Sequence, residues 1–200
     1  MRELFSEFIK NKLRFESLVI TCGLPATAKS GLAEITAKIK GYCLLQSDQI
    51  RLDVLKNEDI FDEKIASNMN KRTIVYDEMF RQADICLRKD NGVILDATFV
   101  TNALRRRAAK IAAQNNLALV ILQTDCPQEV AIRRILNRTK DNYESNALTE
   151  KAYYNNKMAF EKVNLDSLKQ LHPNLDIIHL IVATQYDSPE DWYITSITKK

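Results

Sequence analysis

The chain has 200 residues, of which 46% are hydrophobic and 28% charged, with a formal net charge of +3. These values are ordinary for a globular protein, and so small a charge excludes an overall field that demands a nucleic-acid partner. We expect one domain over residues 1–200, with a core at about 17–183. No apolar run approaches the ~18–20 residues that span a bilayer.

Cysteine usage and the first residues bear on the compartment. The four cysteines are Cys22, Cys43, Cys86 and Cys126. They are scattered through apolar runs without a C-x-x-C motif, which predicts buried reduced thiols and a reducing compartment. The opening MRELFSEFIK is too charged for a signal peptide, so we expect a cytoplasmic protein that makes no membrane contact.

A phosphate-binding loop is predicted near the start of the chain. An amphipathic helix over residues 2–13 precedes a buried strand at Leu18–Thr21. The segment GLPATAKS follows, and an amphipathic helix begins at about Ser30. A strand, a G-x-x-x-x-[G/A]-K-S segment and a helix are the context that a phosphate-binding loop requires. Its candidate residues are Gly23, Leu24, Pro25, Ala26, Thr27, Ala28, Lys29 and Ser30.

Residue types in this segment suit a polyphosphate. Backbone N–H groups and the positive helix end cradle phosphates, Lys29 adds a charge to the β/γ-phosphates, and the Ser30 hydroxyl can hold Mg²⁺. Ala28 departs from the pattern, because a glycine normally stands there. Its Cβ is tolerable only if φ stays negative or the strain is small.

A second strand, Tyr42–Leu45, leads into a candidate acceptor site. Asp48 follows it at the carboxyl edge, where open α/β sheets bind ligands, and Arg51 shares a helical face with Asp48. The carboxylate can deprotonate a hydroxyl, and the guanidinium can bind an anionic part of a substrate. The alternative is that Asp48 caps a helix and pairs with Arg51.

A polar stretch at 57–70 then suggests a cover over the site, and residues 71–89 predict a long helix. The third strand, Val93–Leu95, ends at Asp96, which is placed to bind Mg²⁺ through water or to contact substrate. A turn-capping aspartate is the alternative.

Two arginine-bearing helices come next. The helix at about 102–114 carries Arg105–Arg107, of which at most two can face the cleft. After a strand at 117–123, the helix that begins near Pro127 carries Arg134 and Arg138. Four residues apart, these two should share a face and close on ATP, although a solvated basic stripe is the alternative.

The remaining elements complete an α/β pattern. A helix is predicted at 147–163 and a fifth strand at 176–183. Ser188–Asp191 predicts a short terminal helix with Trp192 against the body. Five apolar strands separated by helices predict a three-layer α/β domain with a parallel sheet.

The chain resembles the P-loop kinase family, which includes phage-type polynucleotide 5′-kinases and AAA-type small kinases. The motifs that carry the resemblance are GLPATAKS, SDQIR, LDATF, RRILNR and SNA, in this order. More distantly the chain is similar to zeta-toxin and chloramphenicol phosphotransferase kinases. The resemblance covers about residues 17–160 and implies a five-stranded parallel sheet in the order 2-3-1-4-5, with a lid at about 127–146.

This resemblance implies ATP and Mg²⁺ as cofactors and a role for each matching residue. Lys29 would neutralise the β/γ-phosphates, and Ser30 would bind Mg²⁺. Asp48 would be the general base, and Arg51 would hold the acceptor. Asp96 would lie beside the acceptor or the metal. The implied arginines are Arg134 and Arg138 on ATP and Arg105 near the acceptor.

The predicted activity is transfer of the ATP γ-phosphate to a hydroxyl of a small molecule, a nucleotide or a nucleic-acid 5′ end. We favour the smaller acceptors. A nucleic-acid end would need a basic channel; its possible members are Arg105–Arg107, Arg133, Arg134 and Lys140. One alternative is a nucleotide-binding module without phosphotransfer, which Ala28 and the low glycine count favour. A hydrolytic switch NTPase is less favoured, because no water-positioning residue is evident.

Overall fold

The computed structural model describes residues 2–14, 16–58, 60, 65, 68–90, 92–138 and 148–200. Its α-helices are α1 (Phe5–Lys12), α2 (Lys29–Lys40), α3 (Ser47–Val54), α4 (Met69–Leu87), α5 (Asn102–Gln114), α6 (Gln128–Leu136), α7 (Glu150–Ala159) and α8 (Leu165–Leu171). Its strands are β1 (Ser17–Cys22), β2 (Cys43–Gln46), β3 (Gly92–Asp96), β4 (Ala118–Asp125), β5 (Ile177–Ala183) and β6 (Tyr193–Lys199).

The strands form one sheet in the order β2-β3-β1-β4-β5-β6. The first five are parallel in the predicted order, whereas β6 pairs antiparallel with β5. The sequence predicted five strands, whereas the sheet formed by the described residues has six. The predicted terminal helix is wrong, because only a 3₁₀ turn forms at Pro189–Asp191 before the chain extends. Trp192 is buried, as expected.

Alternating side chains of the parallel strands build a core on each face of the sheet. On β1, Leu18 and Ile20 pack toward α4 and α5, while Val19 packs toward α1 and α2. Both faces of a parallel sheet are covered in this way, which gives the predicted three layers. The predicted single domain over residues 1–200 stays a prediction.

The cysteine prediction needs a correction. Strand β2 packs beside α4, where the structure joins Cys43 and Cys86 as a disulfide with their Cα atoms 6.2 Å apart. That separation lies within the normal range for a disulfide. Cys22 and Cys126 are free thiols, and only Cys22 is fully buried.

Several boundaries also differ from the predictions. The helix expected at 147–163 is shorter, since α7 covers Glu150–Ala159, and α8 was not predicted. Much of the expected cover at 57–70 and the lid residues from 139 onward lie outside the described residues. Among the helices that the structure describes, none has the length and apolarity to cross a membrane.

Candidate active site

A tight loop joins β1 to α2 and opens on a cavity of about 530 Å³. Gly23 begins the loop with φ of +147°, and a Cβ there would lie 2.1 Å from the Thr124 hydroxyl oxygen. Glycine is therefore required at this position. The loop residues that line the cavity are Pro25, Ala26, Ala28, Lys29 and Ser30, whereas Gly23, Leu24 and Thr27 do not line it.

Ala28 adopts the left-handed conformation with φ of +63° and ψ of +30° just before α2. The first of the two conditions for tolerating its Cβ, a negative φ, is therefore not met. An L-residue in this region costs roughly 1–2 kcal/mol. The loop therefore keeps its left-handed turn at Ala28, and the backbone strain at this residue lowers the stability of the folded state.

Three threonines hold the loop in place. The Thr27 hydroxyl donates to the Leu24 carbonyl at 2.8 Å and lies 2.6 Å from the Thr124 hydroxyl. Thr184, just after β5, donates its hydroxyl to the Thr27 carbonyl at 2.9 Å. These contacts tie the loop to the ends of β4 and β5. Sequence reasoning missed Thr124 and Thr184, although each lies near the carboxyl end of a predicted parallel strand.

Lys29 lies at the start of α2 and faces the cavity. Its ammonium donates to the Leu24 carbonyl at 2.6 Å. Burial lowers the pKa of Lys29, while the carboxylates of Asp96 and Asp48 oppose this shift. Ser30 follows in the first turn and is exposed. The ammonium, a hydroxyl and the helix N-terminus therefore meet at one end of the cavity, which suits a polyphosphate.

Two carboxylates reach the same cavity from neighbouring strand ends. Gln46 of β2 pairs in register with Asp96 of β3, and α3 begins directly after Gln46. Asp48 is therefore in the first turn of α3 and is not its N-cap. Asp96 is 5% exposed, and the Thr21 hydroxyl lies 3.0 Å from its Oδ1. Both carboxylates line the cavity, as the parallel topology predicts.

The surroundings of Asp48 favour a role as a base. Burial raises the pKa of Asp48; the charge of Arg51 counters the shift, and the Asp96 carboxylate adds to it. A carboxyl with a raised pKa is a better proton acceptor near neutral pH than an ordinary aspartate.

The cavity wall facing the loop carries arginines. Arg51 of α3 lines it, as the three-residue spacing from Asp48 predicts. Arg72 of α4 and Asn156 of α7 line it too, and sequence reasoning missed both. Arg72 lies one turn before Tyr76, which also lines the cavity, so the i, i+4 spacing could have indicated it. Asn156 gives no sequence signal.

Arg138 lines the cavity, but Arg134 does not. Helix α6 ends at Leu136, so the two arginines do not share a helical face, contrary to the prediction. Arg134 instead donates to the carbonyls of Thr184 and Tyr186 at 3.0 and 3.2 Å. It braces the loop after β5 beside the phosphate loop.

Arg105 is fully buried and does not reach the cavity. Its guanidinium donates to Asn102 Oδ1 at 2.9 Å and the Val100 carbonyl at 3.2 Å, beside the Cys22 thiol. The start of α5 points this side chain into the core, so the predicted contact with the acceptor is not supported.

Comparison with known proteins places these features in a family. The family model described as "AAA domain" matches residues 18–163. "Uncharacterized protein Mb2027c" of Mycobacterium bovis is 29% identical over 136 residues, 65% of this chain. The chain spans only 27% of the length of that relative.

Solved structures show the same fold. A gluconokinase from Sinorhizobium meliloti 1021 aligns over 86% of this chain and 85% of its own, with 13% identity and a TM-score of 0.58. A sugar kinase from Janibacter sp. HTCC2649 aligns over 87% and 88%, with 14% identity and a TM-score of 0.60. The family model covers most of the chain, so the chain belongs to the AAA domain family and has the P-loop kinase fold.

Proposed function

We propose that this protein is an ATP- and Mg²⁺-dependent kinase that transfers the γ-phosphate to a hydroxyl of a small molecule. The observation that carries the proposal is the convergence of Lys29, Asp48, Asp96 and Arg138 on one cavity beside the loop. Phosphoryl transfer depends on positioning and charge neutralisation, and these residues supply both.

The loop and its helix would hold the triphosphate. Backbone N–H groups between β1 and α2 and the N-terminal end of α2 favour bound anions. Lys29 would exchange its contact with the Leu24 carbonyl for the β- and γ-phosphate oxygens. Arg138, which lines the same cavity, would stabilise charge on the transferring group.

Ser30 and Asp96 fit Mg²⁺, because a hydroxyl and a carboxylate are the hard oxygen ligands that this ion prefers. The Thr21 hydroxyl orients one oxygen of Asp96, and the metal when bound would neutralise phosphate charge. Asp48 would take the proton of the acceptor hydroxyl. The new bond joins the acceptor oxygen to the γ-phosphorus, the bond to the β,γ-bridging oxygen breaks, and ADP leaves.

The candidate arginines of a nucleic-acid channel that the structure describes, Arg133 among them, do not line the cavity, which supports a small acceptor. Arg105 is in the core, and Arg134 donates to backbone carbonyls. Arg106 donates to the Ser167 hydroxyl, and Arg107 pairs with Asp77. Among the described residues none of these arginines lines the cavity, and Lys140 lies outside that part of the chain.

The proposal is tested with γ-labelled ATP, Mg²⁺ and a panel of small alcohols, nucleosides and 5′-hydroxyl oligonucleotides. We expect label on a small alcohol with the wild-type chain and none with Lys29→Met. Nucleotide binding without transfer to any acceptor would favour the nucleotide-binding module, to which the strain at Ala28 also points. Absence of nucleotide binding would refute both.

A further inference from the structure

The part of the cavity wall formed by α3 and α4 contains a buried arginine with unused donors. Arg51 is 7% exposed and lines the cavity. Its Nε and Nη1 atoms are buried and have no hydrogen-bond partner. A buried charged donor left without an acceptor is costly, so such groups in a folded protein need an explanation. A ligand oxygen in this cavity would supply the missing acceptor.

A second arginine lies beside it. Arg72 is half-buried, and its Nη2 donates to the Asn156 side-chain oxygen at 3.1 Å. Asn156 is itself fixed, because its Nδ2 donates to the Ala152 carbonyl at 2.8 Å. This contact orients the Arg72 guanidinium, but the Asn156 amide is neutral and does not balance its charge.

Two guanidinium groups are thus close together, and the Asp48 carboxylate offsets part of the charge of Arg51. Burial lowers the pKa of Arg72, and the charge of Arg51 lowers it further, so the two cations repel each other. Within the part of the chain that the structure describes, no carboxylate forms an ion pair with Arg72 or Arg51. An oxyanion between them would satisfy the free donors and cancel this repulsion.

We propose that the acceptor is a small alcohol that carries its own oxyanion, a carboxylate or a phosphate, which Arg51 and Arg72 bind while its hydroxyl faces Asp48. This inference rests on the proposed kinase function. Arginine suits the task, because its planar donors match carboxylate and phosphate oxygens in pairs. The whole cavity, including the end formed by the loop, has a volume of about 530 Å³, which is in the range of small-molecule sites.

The test uses the full chain saturated with Mg²⁺ and a non-hydrolysable ATP analogue, so that the phosphate loop is already filled. Inorganic phosphate, glycerate and glycerol are then titrated in separate calorimetry experiments. We expect glycerate and phosphate to bind at least about tenfold more tightly than glycerol, because hydrogen bonds to charged groups are the stronger ones. Arg72→Gln should remove most of this difference.

Two further variants make the result specific. Arg51→Gln should weaken glycerate binding as Arg72→Gln does. Arg107→Gln is the matched control, because Arg107 is exposed, pairs with Asp77 and lies outside the cavity. It should bind glycerate like the wild type, and circular dichroism checks that each variant folds.

The possible results distinguish failure of the anionic-acceptor proposal from failure of the proposed kinase function. If the ATP analogue does not bind, the proposed function fails. If the analogue binds but glycerate and phosphate bind no better than glycerol, the inference is overturned while a kinase for a neutral alcohol remains possible. Tighter Arg72-dependent binding of a 5′-hydroxyl oligonucleotide than of glycerate would also overturn it, in favour of a nucleic-acid end.

Discussion

Replacing Ala28 by glycine should stabilise the protein. Ala28 has φ of +63°, which costs an L-residue roughly 1–2 kcal/mol and glycine almost nothing. Glycine also has more conformational freedom in the unfolded chain, which stabilises the unfolded state and lowers the gain by about 0.4–1 kcal/mol. The expected net gain in the free energy of unfolding therefore lies between about 0 and 1.6 kcal/mol, and its midpoint of about 0.8 kcal/mol corresponds to about 2–3 °C in Tm for a chain of this size.

The assay is urea unfolding followed by circular dichroism, with Ala37→Gly as the matched control. Ala37 lies inside α2, where the same substitution should cost about 1 kcal/mol because glycine is a poor helix residue. The two variants should thus move the unfolding midpoint in opposite directions. If Ala28→Gly destabilises the chain as much as Ala37→Gly does, the left-handed turn described for this loop is refuted.

Three other substitutions test the site. Lys29→Met should weaken binding of an ATP analogue by about tenfold or more in calorimetry, because a charge-assisted contact to phosphate is lost; unchanged affinity would contradict the assigned role. Gly23→Ala should lower the free energy of unfolding by about 1–3 kcal/mol in urea titrations, since its Cβ would meet Thr124; wild-type stability would contradict the loop geometry. Asp48→Asn should raise the free energy of unfolding at pH 7. Burial raises the pKa of this carboxyl in the folded state, so the ionised carboxylate destabilises the folded protein at pH values above that raised pKa. Below the unfolded pKa of about 3.9 the carboxyl is protonated in both states and carries no such cost. The gain should vanish near pH 3, and an equal gain at both pH values would contradict the shift.

Local sequence patterns predicted much of the candidate site, because residues that directly follow the strands of a parallel sheet all lie at the same edge of that sheet. The strand before Gly23 and the helix after Lys29 identify the phosphate loop by themselves. Asp48 and Asp96 follow strands that are neighbours in the sheet, so their meeting at one edge follows from the fold. Arg51 follows from its helical spacing to Asp48.

Predictions failed where the position of a side chain depends on how far a helix extends or how it packs. Arg134 and Arg138 would share a face only if α6 continued past Leu136. The direction of Arg105 depends on how α5 lies on the sheet. Arg72 and Asn156 meet only because α4 and α7 pack together.

The last strand was missed for a different reason. Ser188 and Pro189 resemble a helix start, and they do cap a single 3₁₀ turn. The following YITSITK is rich in β-branched residues, which favour a strand. Pairing with β5 then decides its conformation.

The central claim is that the loop holds ATP while Asp48 activates the acceptor. Its most direct test measures two quantities on Asp48→Asn, the affinity for an Mg²⁺-bound ATP analogue and the transfer of labelled γ-phosphate to an acceptor found with the wild type. The account predicts nearly unchanged affinity and loss of transfer by at least about 100-fold, the lower range for a general base. Transfer at the wild-type rate would contradict the account.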